Sequence, residues 1–118
     1  MTSDLDFPVS FLWPSKAVPK NEKSLRHRFI KKFKEEHPGA WIYCPRDMLR
    51  SGVPDLLAVF QGHAFAFELK MQGNKPTPMQ IATLADLDAA GACVRLVVQM
   101  KDGVVRSMKY GEFADNYK

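Results

Sequence analysis

A chain of 118 residues with 46% apolar and 25% charged positions suits one soluble domain built on a single modest core. No run approaches the roughly 18 consecutive apolar residues of a membrane span, and no basic start followed by an apolar stretch marks a secretory signal. Two cysteines, Cys44 and Cys93, exclude a disulfide framework and a cysteine zinc knuckle, so a reduced cytoplasmic setting is expected.

The formal net charge is +4, and its distribution is uneven. Lys20, Lys23, Arg26, Arg28, Lys31, Lys32 and Lys34 fall in one short stretch with Glu22 as its only acid. Such a stretch attracts a polyanion such as nucleic acid, with Lys23 and Arg26 as candidate contacts. On charge alone, a solvated helix face is the simpler explanation.

In residues 1–19, Pro8, Pro14 and Pro19 stand among Phe7, Phe11, Leu12 and Trp13. The prolines predict an arm without a regular element, and the aromatics predict that it packs on this domain or on a partner subunit. Residues 20–118 form the domain proper. Asn21 caps a helix running to about Glu36, ended by Pro38-Gly39, with Leu25, Phe29, Ile30 and Phe33 as its buried stripe. Glu22 lies at the edge of that stripe.

Residues 40–44 read as a strand, in which Trp41 and Tyr43 are expected to pack rather than to stack on bases. The cysteines read as strand residues rather than nucleophiles. A loop carrying Arg46 and Arg50 follows. Residues 55–60 and 63–70 then read as a β-hairpin turning at Gln61-Gly62, with His63 beside the turn.

Thr77, Pro78 and Gln80 form a helix start with a capping box. Ile81, Leu84 and Ala85 face inward, and Gly91 closes the helix. Residues 93–100 are a strand, Asp102-Gly103 a turn and residues 104–108 another strand; the tail from Tyr110 reads as a short helix.

The hairpin carries the chemistry. A two-residue turn pairs Phe60 with His63, and the same register sets Asp55 opposite Glu68 with Cβ atoms about 5 Å apart. Facing carboxylates repel, and a divalent cation between them removes the objection. Lys70, two residues beyond Glu68, emerges on the same face, where it can polarise a water or stabilise charge on a phosphate. That face otherwise carries Ala64 and Ala66, which leave room beside the carboxylates.

Gly52-Val53-Pro54-Asp55-Leu56-Leu57, Glu68-Leu69-Lys70, Glu22 on the first helix, and Gly73 leading to Pro78 and Gln80 resemble the PD-(D/E)XK nuclease superfamily and, within it, the VRR-NUC branch. The resemblance spans about residues 21–98. It implies an α/β, restriction-endonuclease-like αβββαβ core with a mixed sheet flanked by helices. It also implies phosphodiester hydrolysis with Mg²⁺ or Mn²⁺. Asp55, Glu68 and Glu22 would then hold the metal, Lys70 would be the catalytic lysine and Gln80 would sit beside the catalytic strand. Small members of this branch are common in bacteriophages, resemble Holliday-junction resolvases and are often dimers, so branched DNA and a homodimer are the implied partners. Arg46, Arg50 and Lys75 flank the catalytic strands as candidate phosphate contacts. A non-catalytic nucleic-acid-binding module on the same fold is the alternative, but facing acids give a surface nothing toward an anionic backbone.

Overall fold

The computed structural model describes residues 10–14, 18–45 and 52–113. Among these, the element order is β1 (Ser10–Leu12), α1 (Glu22–Glu36), β2 (Trp41–Tyr43), β3 (Leu56–Phe60), β4 (His63–Met71), α2 (Pro78–Ala89), β5 (Cys93–Gln99), β6 (Val104–Lys109) and α3 (Tyr110–Phe113). The strands form one sheet in the order β1-β6-β5-β4-β3-β2. Only β4 and β5 run parallel, joined through α2; the remaining pairs are antiparallel. This is the expected mixed sheet with helices on its faces.

Both long helices start where side chains satisfy their free N–H groups. The Asn21 carboxamide accepts from the Ser24 N–H at 2.8 Å. At α2, Thr77 Oγ1 accepts from the Gln80 N–H while Gln80 Oε1 accepts from the Thr77 N–H, a complete capping box. Leu25, Phe29 and Phe33 of α1 pack with Leu56, Ala58, Phe65, Phe67 and Leu69 on one face of the sheet. Leu84 of α2 packs with Ala66, Val94 and Leu96 on the other. Strand alternation thus sorts the central strands, odd positions of β4 toward α1 and even positions toward α2.

Two sequence expectations fail, both at the edges of the sheet. The arm does contain a regular element: Ser10, Phe11 and Leu12 pair with Arg106, Val105 and Val104. Pro14 follows this short edge strand rather than interrupting it, which is where a sheet tolerates proline, and Pro8 lies outside the described residues. The described part of the arm packs on its own domain, with Trp13 only 9% exposed and its Nε1 donating to Gln99 Oε1 at 2.6 Å. At the opposite edge, Trp41 and Tyr43 are not packed into the core. They are 59% and 51% exposed and stack on each other, ring centroids 5.9 Å apart and 24° between planes. Only Ile42 of β2 points toward the α1 core. Cys44 and Cys93 are half-buried free thiols.

No helix among the described residues is long and apolar enough to cross a membrane.

Candidate active site

The site grows out of the β3–β4 hairpin. Gln61 and Gly62 both take left-handed backbone, with φ of 49° and 79°, and close a two-residue turn whose twist matches the flanking strands. Pairing runs from Phe60↔His63 to Leu56↔Phe67, so the next facing positions are Asp55 and Glu68. Regular pairing ends there because Pro54, buried and without an N–H, precedes Asp55. Asp55 replaces the missing backbone partner with its side chain: Oδ2 accepts from the Leu69 N–H at 2.9 Å.

The approach to Asp55 is set by Gly52. Its φ is +82°, and a Cβ there would lie 2.6 Å from the Met79 carbonyl oxygen and 3.0 Å from Thr83 Oγ1. The backbone of the Gly52-Val53-Pro54 segment therefore rests directly on the first turns of α2, which only glycine permits.

Glu68 is wholly buried. Neither of its carboxylate oxygens accepts a hydrogen bond; Lys70 Nζ stands 3.2 Å from Oε2 as an ion pair. Burial first, and the Asp55 charge second, push the Glu68 carboxyl up to about 7, while Lys70 pulls the other way. A buried carboxylate left without donors is costly in a merely structural setting. The Glu68 oxygens and the adjacent Asp55 are hard oxygen donors of the kind a divalent cation takes, and the Lys70 ammonium holds Oε2 in its absence. Among the described residues no group of three or more His, Cys, Asp or Glu side chains stands close enough to hold a metal. Asp55 and Glu68 are the carboxylates this site could offer to such a cation.

Among the described residues Glu22 does not form a metal-holding group with these two acids. It sits in the first turn of α1, the helix covering the opposite face of the sheet, and its Oε2 accepts from Asn74 Nδ2 at 3.5 Å beyond the end of β4. Gln80 spends its side-chain oxygen on the Thr77 cap. Lys23 and Lys75 are exposed and Arg26 half-buried, while Arg46 and Arg50 lie outside the described residues. Lys101, for which the sequence offers no motif, joins Lys20 in lining a groove of about 680 Å³ past the ends of β4 and β5. The sequence signal for the role of Gly52 is its place in the Gly-Val-Pro-Asp motif. For Trp41 and Tyr43 the signal is their alternation around Ile42, which equally fits a buried strand.

No family model and no curated protein matches this chain. Solved structures do. A VRR_NUC domain superposes with a TM-score of 0.55 at 23% identity, covering 83% of this chain and 99% of that one. Hjc from Archaeoglobus fulgidus, a Holliday junction resolvase from an archaeal hyperthermophile, superposes with a TM-score of 0.53 at 17% identity, covering 72% of this chain and 77% of the resolvase. Both likenesses are likenesses of fold, and they agree with the αβββαβ core expected from the sequence.

Proposed function

We propose that this chain is a metal-dependent DNA endonuclease, selective for DNA structure in the manner of a Holliday-junction resolvase. The observation that carries the reading is Glu68, buried with neither carboxylate oxygen in a well-formed hydrogen bond, facing Asp55 and ion-paired with Lys70 at 3.2 Å. The fold shared with a VRR_NUC domain and with Hjc supports it.

Asp55 and Glu68 would hold Mg²⁺ or Mn²⁺, which when bound supplies positive charge at the phosphate and acidifies a coordinated water. Asp55 is anchored by the Leu69 N–H, so one of its oxygens is fixed while the other remains for coordination. Glu68 ionises fully once a cation offsets its burial and the Asp55 charge. The Lys70 ammonium, held against Glu68, would donate a hydrogen bond to a phosphate oxygen while the water oxygen bonds to phosphorus and gives its proton to solvent, the P–O bond to the leaving strand breaks and the departing oxygen takes a proton from water. Lys23, Arg26, Lys75, Arg46 and Arg50 are proposed phosphate contacts. Glu22 and Gln80 act outside the coordination sphere. Resolution of a four-way junction requires two sites, hence a homodimer; the setting is the cytoplasm, the host's if a phage encodes the chain.

The test is cleavage of linear and four-way-junction DNA with Mg²⁺ or Mn²⁺ by the wild-type chain and by Asp55→Ala, Glu68→Ala and Lys70→Ala. Metal-dependent cutting that all three variants lose is expected. Retention of wild-type cutting by all three removes the assignment, and binding without cleavage on any substrate marks a non-catalytic module.

A further inference from the structure

The exposed aromatic pair lies on the sheet face that carries the acids. In the β2–β3 ladder Trp41 pairs with Val59 and Tyr43 with Leu57. Leu57 packs toward α2, and Asp55, two residues back, shares its side of the strand. Tyr43 is therefore a diagonal neighbour of Asp55, a relationship that places the two residues about 7–8 Å apart, with their Cβ atoms somewhat closer. Trp41 continues the row outward, over Val59, itself 44% exposed. Between Tyr43 and α2 opens a mainly apolar cleft of about 490 Å³, walled by Pro45, Val53, Pro54, Leu57 and Leu87. An aromatic row and an apolar cleft thus begin one side-chain step from the carboxylate that would hold the metal.

Exposed stacked indole and phenol rings are costly to display to water, and their π faces match those of nucleobases. A phosphate bound at Asp55 and Glu68 carries its flanking nucleotides outward from that point. The one on the β2 side meets Tyr43 first. A base still paired in a duplex keeps both its faces covered by neighbouring bases and offers none to the ring; an unpaired base offers one.

Resting on the nuclease reading, we propose that Tyr43 and Trp41 are a stacking platform for an unpaired base adjoining the scissile phosphate. The platform gives the enzyme its preference for DNA with unpaired nucleotides at the cut. The partner class is branched DNA with a base unpaired at the branch point, read through base faces rather than hydrogen-bonding edges. The substrate preference is then set by Tyr43 and Trp41, whereas the chemistry is set by Asp55, Glu68 and Lys70.

Trp41 supplies its own probe, because the other tryptophan, Trp13, is buried and hydrogen-bonded to Gln99. The full chain is titrated in Ca²⁺ with an oligothymidylate of about twelve nucleotides and, separately, with a blunt duplex of equal length, following tryptophan emission. The single strand is expected to quench emission strongly and the duplex weakly, and Trp41→Phe, which keeps only Trp13, should lose the signal. Tyr43→Ala should bind the single strand roughly tenfold more weakly. In Mg²⁺ it should also lose the preference for unpaired over fully paired substrate, with thermal unfolding unchanged. Equal quenching by both DNAs, undiminished single-strand affinity of Tyr43→Ala, or Trp41 emission that changes with protein concentration alone (a second copy covering the row) would overturn the platform. Failure of the nuclease reading looks different: quenching by the single strand persists while no metal yields cleavage of any DNA.

Discussion

Asp55 and Glu68 face each other across one hairpin yet are treated oppositely by their surroundings. Asp55 is half-buried and its Oδ2 accepts the Leu69 N–H at 2.9 Å, whereas Glu68 is fully buried and accepts no hydrogen bond. One acid is anchored to the backbone, and the other has only the Lys70 ammonium against it. An apolar isostere at 68 would serve the core better, so the charge is retained at a cost in stability.

That cost has a definite pH signature. A carboxyl that titrates near 7 when folded and near its ordinary 4.5 when unfolded holds its proton more tightly in the native state. Folding takes up a proton in that window, so metal-free stability from this group is greatest below about 4.5, falls as pH rises to 7, and stays low above it. The full difference is on the order of 3 kcal/mol, a net figure in which the pull of Lys70 is already included. Glu68→Gln should therefore raise the thermal midpoint in chelator at pH 8, leave it nearly unchanged at pH 4.5, and abolish cleavage. Unfolding of both proteins at the two pH values checks this. Equal stability of the two at pH 8 would show that burial of the charge is harmless.

Lys70 has two separable effects. Removing a donor aimed at a transition-state oxyanion lowers turnover by roughly 10²- to 10³-fold, and Lys70→Ala should fall in that range. Lys70 also pulls the Glu68 pKa down, so without it Glu68 should hold its proton to higher pH. The pH midpoint for Mn²⁺ binding, followed by calorimetry, should then move upward in Lys70→Ala. Lys70→Arg should restore the midpoint and only part of the rate, because a planar guanidinium does not reproduce a compact ammonium. An unmoved midpoint would place Lys70 outside the electrostatics of Glu68.

How much of this is legible in the sequence follows from the range of each interaction. The hairpin register that faces Asp55 with Glu68 depends on two turn residues, and both helix caps depend on residues three apart; all are readable. The order of strands in the sheet is not local. Nothing around Trp41 says that β2 is an edge, and nothing around residues 10–12 says that they pair with the outer side of β6, so sequence reasoning misses both the exposed aromatic pair and β1. Glu22 illustrates the same limit. Its helical face is readable, but the face of the sheet that α1 covers is not. Gln80 fits both a cap and a site by sequence, and the hydrogen bond made by its side chain is the cap.

Gly52 shows a tertiary requirement hidden in a motif. Alanine there would hold a left-handed φ, costing about 1–2 kcal/mol, and would push its Cβ into the Met79 carbonyl, where forced displacement costs about 1–3 kcal/mol. Gly52→Ala should thus lose roughly 2–5 kcal/mol, and whatever folds should have Asp55 displaced from Leu69, with weakened metal affinity. Gly39, also at positive φ but with open space within 4 Å of where a Cβ would stand, is the control. Gly39→Ala should lose only the backbone part, about 1–2 kcal/mol. Urea unfolding of both separates the two contributions, and equal losses would mean that the contact with α2 is immaterial.

The position of Glu22 yields the sharpest test of coordination. A direct metal ligand replaced by its amide loses a charge and an oxygen donor, and Asp55→Asn should reduce both Mn²⁺ affinity and cleavage by orders of magnitude. Glu22 belongs to the layer on the other side of the sheet and meets Asn74 instead. Glu22→Gln keeps an oxygen able to accept from Asn74, so it should leave Mn²⁺ affinity within a few-fold of wild type. Cleavage should fall less than tenfold, the scale of an acid that acts at a distance through water or through helix α1. Asn74→Ala should reproduce that modest loss if their contact is what places Glu22. A Glu22→Gln variant as defective in metal binding as Asp55→Asn would mean that α1 moves its acid across to the carboxylate pair when DNA and metal are present.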